Sequence, residues 1–215
     1  MIWLPLESRV ETARTRRLEP GEEPKLMKYA GAHLRAMIVA ALSTGCRVGE
    51  LLALRWSQVR RDAQGQARWL VLEADDTKTH EARSIPVGET LRAELEMRRT
   101  APDGRDHPPT AYVFGNECGE PTRSIKTAWR AICRRAGIAN LHFHDLRREF
   151  GSRLLESHAD PHDVQLFLGH ANITTTSRYL RSTPLRLAKA LKRMEDEATS
   201  SEHTDSRSES PAAPA

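Results

Sequence analysis

The chain has 215 residues and a formal net charge of +4. It contains no run of about 18 apolar residues, which argues against a membrane span, and its charged first residues are unlike a secretory signal peptide. Three cysteines without paired spacing favour reduced thiols, so we expect a cytoplasmic protein.

The positive charge is concentrated in one part of the chain. Residues 195–215 contain six acids and one base, so residues 1–194 carry a net charge of +9. A basic body of this kind predicts a polyanionic partner, and nucleic acid is the first candidate. Charge alone leaves open a merely soluble basic protein.

Apolar residues at helical spacing, together with glycine stop signals, predict most of the secondary structure. Helices are predicted at residues 24–30, 33–43, 47–55, 88–99 and 124–136. Between the third and fourth helices, β-favouring residues at 58–61, 67–74 and 83–87 predict a small antiparallel sheet of three strands. In the second strand, alternation predicts Trp69 and Val71 on one face and Leu70 and Leu72 on the other. We therefore expect an α+β fold that is predominantly helical.

Both ends of the chain differ in composition from this core. Residues 1–23 are polar and are expected to form an extended lead-in. Residues 185–194 have the pattern of a short basic amphipathic helix, and residues 195–215 are expected to be a disordered acidic tail.

In the helix at 124–136, we expect Ile125, Ala128, Trp129 and Ile132 to face inward.

The region from residue 144 to residue 179 contains three motifs with chemical potential. His144 and Arg147 are three residues apart and can share a helix face. Gly169 and His170 follow an apolar run where a helix would end, and Tyr179 comes nine residues after His170. Each residue alone is more often a surface, capping or half-buried group than a catalytic one.

As a set, these motifs resemble the catalytic end of the tyrosine recombinase (phage integrase) family. The matching stretches are H-D-L-R-R-x-F at 144–150, L-G-H at 168–170 and R-Y at 178–179. A second signature of the family, T-G-x-R-x-x-E-x-x-x-L, matches residues 44–54, and its T-K-T turn matches residues 77–79. The resemblance runs from about residue 18 to residue 194 and implies a catalytic domain over residues 24–194.

The resemblance implies a role for each matched residue. Arg47 and Arg147 would bind the scissile phosphate, because guanidinium groups stay charged and can bind it bidentately. Tyr179 would be the nucleophile that joins the DNA 3′ phosphate. Glu50 would be a buried supporting group, although an Arg47–Glu50 pair one turn apart is also an ordinary structural feature.

The remaining matched residues would transfer protons or position groups. Lys78 would protonate the leaving oxygen, His144 would assist proton transfer at the tyrosine, and His170 would hold the phosphate and the attacking group. A covalent intermediate retains the bond energy, so we expect no cofactor. The positive charge comes from side chains, so we expect no metal. The clustered histidines lack the spacing of a zinc site.

The sequence therefore predicts a site-specific DNA recombinase of the integrase type. The implied partners are double-stranded DNA and further copies of the chain, as a tetramer on DNA, with no membrane and no small-molecule substrate. The family usually carries a separate DNA-binding domain before the catalytic domain, and we expect it to be absent here. The alternatives are a non-catalytic DNA-binding remnant and an enzyme that only relaxes DNA, like a type IB topoisomerase.

Overall fold

The computed structural model describes residues 16–74, 82–169 and Lys192. It confirms the predicted α+β fold, with mainly helical segments and a three-stranded antiparallel sheet. The elements are α1 (Glu22–Tyr29), α2 (Ala32–Thr44), α3 (Val48–Ala53), a 3₁₀ turn (Trp56–Gln58), β1 (Val59–Arg61), β2 (Ala67–Leu72), β3 (Arg83–Pro86), α4 (Glu89–Arg98), α5 (Lys126–Ala136), α6 (Asp145–Glu156) and α7 (Pro161–Leu168).

Helix α2 lies at the centre of the core. Residues 36–41 are all buried, and the helix packs against α4 and α6. It ends at Gly45, whose φ of 64° closes the last turn with a hydrogen bond from its N–H to the Ala41 carbonyl. The buried Thr44 hydroxyl donates to the Ala40 carbonyl and accepts from the Cys46 N–H, which fixes the chain as it leaves the helix.

The sheet has the strand order β1-β2-β3, and each pair is antiparallel. Leu70 lies opposite Val59 on one side and Ile85 on the other, and all three side chains are buried. Trp69 points to the exposed face. The alternation predicted from the sequence is therefore confirmed.

The buried face of helix α5 is rotated relative to the one that the sequence predicted. Trp129 and Ile132 are buried as expected, but Ala128 is exposed and Cys133 is buried. The buried stripe follows a spacing of three and four residues, and Ala128 lies at its outer side. The indole of Trp129 donates to the Leu141 carbonyl at 3.0 Å, which fixes the segment that leads into α6.

All these elements belong to the first of two compact units, which ends at Tyr179. In the second unit, only Lys192 is described, and it is helical and exposed. The predictions for residues 1–15 and for the acidic tail lie outside the described residues, as does the predicted helix at 185–194 except for Lys192. Within the described part, no helix has the length and apolar character needed to cross a membrane.

Candidate active site

Arg47 is positioned by the turn between α2 and α3. It is the residue before the first turn of α3, and its backbone N–H donates to Glu50 Oε2 at 2.7 Å. Its side chain donates from Nη1 to Glu50 Oε1 at 2.9 Å and from Nη2 to the Gly169 carbonyl at 3.4 Å. The ion pair between Arg47 and Glu50 is therefore present in the structure, and it orients the guanidinium toward the end of α7.

Glu50 is a buried carboxylate that two arginines share. Arg83, at the start of β3, donates from Nη2 to Oε2 at 2.7 Å and from Nη1 to Oε1 at 3.3 Å. Burial favours the neutral acid, but the hydrogen bonds and charge of Arg83, followed by those of Arg47, hold the pKa of Glu50 below its ordinary value. The carboxylate is therefore ionised at neutral pH.

Arg147 is buried within α6 and is held by main-chain carbonyls. It donates from Nη1 to the Gly45 carbonyl at 2.7 Å and from Nη2 to the Leu168 carbonyl. These carbonyls lie at the C-terminal ends of α2 and α7, where the partial negative charge of a helix stabilises a cation. The two contacts fix the plane of the guanidinium.

Because Gly45 has no side chain, Leu168 of α7 and Phe150 of α6 can pack directly against it. A Cβ at Gly45 would lie 2.5 Å from both Leu168 Cδ2 and Phe150 Cδ1, and the positive φ also disfavours other residues. Because Leu168 and Gly169 are neighbours, the contacts of Arg147 and Arg47 end on consecutive carbonyls. Two arginines that are 100 positions apart in the sequence thus converge on one turn.

His144 lies one turn before Arg147, at the N-terminal end of α6. The residue is exposed overall. Partial burial of its ring, and then the positive charge of Arg147, lower the pKa of His144 below its ordinary value. The imidazole is therefore mainly neutral near pH 7 and can accept a proton.

The structure thus brings together three of the six residues predicted for the site, Arg47, His144 and Arg147. Lys78, His170 and Tyr179 lie outside the described residues. In the described part of the chain, no group of three or more His, Cys, Asp or Glu side chains has an arrangement that could hold a metal ion.

Arg83 is the member of this group that sequence reasoning missed. The sequence indicated only that it begins a strand. The alternation of that strand could have identified it, because Arg83 lies on the same face as the fully buried Ile85. An arginine on the buried face of a strand needs an acidic partner.

Comparison with known proteins identifies the family of the chain. A profile described as "Phage integrase family" matches residues 16–186. The shufflon-specific DNA recombinase of Escherichia coli is 30% identical over 175 residues, which cover 80% of this chain and 41% of that protein. Tyrosine recombinase XerC of Xylella fastidiosa (strain 9a5c) is 36% identical over 153 residues, which cover 69% of this chain and 48% of that protein.

Solved structures show the same fold. The Tn1549 transposon integrase (aa 82-397), in complex with circular intermediate DNA, has a TM-score of 0.64 and 20% identity. That match covers 86% of this chain and 68% of the integrase chain. The chain spans about half the length of the curated relatives it matches. With a profile match over most of its length, the chain belongs to the phage integrase family.

Proposed function

We propose that this chain is the catalytic domain of a site-specific recombinase, which cuts and rejoins DNA strands through a 3′-phosphotyrosine intermediate. The observation that carries the proposal is the convergence of Arg47 and Arg147 on the turn that ends α7. The residue after that turn is His170, and Tyr179 follows nine positions later. The recombinase names of the relatives support the same activity.

The two arginines suit the charge that develops during phosphodiester cleavage. The phosphorane formed on attack has extra negative charge on its non-bridging oxygens. Guanidinium groups stay protonated and donate in a fixed plane, so Arg47 and Arg147 stabilise that charge without reorganising. The main-chain contacts of Arg147 keep it oriented before DNA binds.

The remaining steps are assigned to residues by sequence motif. The Tyr179 oxygen attacks the phosphorus, the bond to the 5′ oxygen breaks, and Lys78 supplies the proton that this oxygen takes up. His144 accepts the phenol proton as a neutral imidazole, and His170 orients the phosphate. The covalent bond conserves the energy of the phosphodiester, so rejoining by a DNA 5′ hydroxyl needs no nucleotide cofactor.

Double-stranded DNA is the proposed partner, bound by a tetramer of the chain. Helix α5 supports a DNA surface, since Lys126, Arg130 and Arg134 are exposed at a spacing of four residues and so form one basic stripe. The net charge of +9 over residues 1–194 acts in the same direction. Residues 24–194 form the catalytic domain in this proposal, and the protein acts in the cytoplasm.

The test is capture of the covalent intermediate. The chain is incubated in EDTA with a pool of short nicked duplexes of randomised sequence, in which the cut fragment diffuses away and traps the protein on DNA. Wild type should form an adduct, and Tyr179→Phe should form none while it still folds and binds DNA. An adduct that persists in Tyr179→Phe would contradict the assignment of the nucleophile.

The same assay distinguishes a catalytic domain from a non-catalytic DNA-binding remnant. It is repeated with the chain fused behind a DNA-binding domain of the kind that usually precedes the catalytic domain in this family. Failure of both forms to make an adduct, with duplex binding intact, would replace the proposed enzyme with a DNA-binding protein.

A further inference from the structure

Arg83 makes two contacts that connect it to the proposed phosphate site. Its guanidinium donates to both oxygens of Glu50, at 2.7 and 3.3 Å, and only 10% of its side chain is exposed. It also lies directly against Gly169, where a Cβ would be 2.9 Å from Arg83 Nη1 and 3.1 Å from Arg83 Cζ. Glu50 and Gly169 are also the hydrogen-bond partners of the Arg47 side chain.

The hydrogen bonds to Glu50 fill the capacity of its carboxylate. A carboxylate offers about four lone-pair sites. Arg83 occupies two, and the backbone and side chain of Arg47 occupy the other two. The carboxylate therefore has one orientation, and Arg83 contributes half of the contacts that fix it.

The charge balance of the group also depends on Arg83. Arg47 paired with Glu50 alone would have no net charge, and it would attract a phosphate weakly. With Arg83 on the same carboxylate, the three groups carry one net positive charge. Because these groups are mostly buried, that charge is poorly screened by solvent.

We propose that Arg83 is a positioning residue, which acts through Glu50 and Gly169 to hold Arg47 in place and to keep the site positively charged. The inference deepens the proposed function and rests on it, since Arg47 matters here as a phosphate ligand. Arg83 itself does not contact the reacting atoms.

The experiment compares Arg83→Met with a matched control, Arg92→Met. Arg92 is also partly buried beside the sheet and donates to two carbonyls, those of Ala67 and Val87, away from Glu50. Single-turnover cleavage of the nicked duplex pool should slow in Arg83→Met by about 10- to 100-fold, by analogy with the loss found when groups that orient metal ligands are removed. Duplex affinity should change far less, and Arg92→Met should cleave like wild type.

A second substitution separates positioning from a merely structural role. In Arg83→Met, the charge of Glu50 neutralises Arg47, so adding Glu50→Gln should restore positive charge and speed cleavage relative to Arg83→Met alone. Arg83→Lys should fall between wild type and Arg83→Met, because lysine keeps the charge but cannot donate to both oxygens in one plane. If the double variant is slower than Arg83→Met, the charge argument is wrong.

NMR of the Arg47 guanidinium, assigned by its loss in Arg47→Lys, gives a readout that needs no cleavage. Its rotation should be restricted in wild type and Arg92→Met, and faster in Arg83→Met. If neither wild type nor its fused form makes an adduct, the proposed function fails, and the NMR signal of Arg47 alone then tests the inference. An unchanged Arg47 signal in Arg83→Met overturns it. Should Arg83→Met fail to fold, the same comparison is made with Arg83→Lys.

Discussion

Two buried carboxylates in this domain have the same local design and different surroundings. The Glu50 network consists of Arg47, Glu50 and Arg83. The Glu149 network consists of Arg17, Glu149 and Arg153, and it ties residues 17–18 to α6. In each, a helical carboxylate that is almost completely buried accepts hydrogen bonds from two arginines.

The difference lies in what else those arginines contact. Arg17 also pairs with Glu156, and Arg153 with Glu23, so the Glu149 network with these partners has more carboxylates than arginines. In the Glu50 network, the second partner of Arg47 is a neutral carbonyl, and the net charge is positive. The same arrangement therefore has a net negative charge in one place and a net positive charge in the other.

The largest expected effect is on stability, and it should differ between the two carboxylates. Glu50→Ala leaves Arg83 and Arg47, which are 10% and 23% exposed, without their counter-charge. We expect a loss of about 3–5 kcal/mol in the free energy of unfolding, as for other broken buried pairs. Urea denaturation measures this loss.

Glu149→Ala is the matched control for that measurement. Arg17 and Arg153 are 36% and 43% exposed, so they can turn toward water or keep their other acidic partners. The expected loss in the free energy of unfolding is about 1–3 kcal/mol, the cost of leaving one hydrogen-bonding group, here the Leu18 N–H, without its partner. An equal loss in both variants would show that the surroundings do not distinguish the networks.

The next effect is on the rate of the proposed DNA cleavage. Arg147→Ala removes a guanidinium that we place at the phosphate, and such a loss costs about 2.7–4 kcal/mol of activation free energy, or about 10²–10³-fold in rate. Arg153→Ala, six positions along the same helix, should leave the rate of adduct formation unchanged. Circular dichroism checks that both variants fold, and a slow Arg153→Ala enzyme would contradict this division of α6.

A smaller effect concerns the pH dependence of stability. Burial opposes ionisation of both carboxylates, but Arg83 and then Arg47 lower the pKa of Glu50, and Arg17 and then Arg153 lower the pKa of Glu149. A carboxylate whose pKa is lowered in the folded state stabilises the fold at pH values above its unfolded-state pKa of about 4.3. This stabilisation is lost as the pH falls through the folded-state pKa. In Glu50→Gln and in Glu149→Gln, stability should therefore decrease less than in wild type as the pH falls below about 4.3. Thermal unfolding across acidic buffers measures this decrease.

The smallest effect is expected from the end of the chain, which belongs to neither network. Deleting residues 195–215 should leave the thermal midpoint of unfolding unchanged, because the segment has no large apolar side chains to bury. A clear drop in the midpoint would show that the tail packs on folded structure.

Local patterns in the sequence were enough to predict the order of the elements, the alternation of the sheet and the Arg47–Glu50 pair. Each of these depends on residues a few positions apart. The Arg83–Glu50 contact joins residues 33 positions apart, and nothing in the local pattern of either residue specifies the other. The prediction that Ala128 faces inward was wrong for a related reason, since the side of a helix that is buried depends on what packs against it.

The hydrogen bond from Arg147 to the Gly45 carbonyl joins residues 102 positions apart. This separation affects the stage of folding at which the site forms. Contacts between distant parts of a chain form after local ones, because closing a long loop costs more conformational entropy. The oriented arginine pair therefore appears only after α2, α6 and α7 have packed together. During synthesis or after partial unfolding, the chain can carry every motif of the family and still lack the oriented arginine pair of the proposed site.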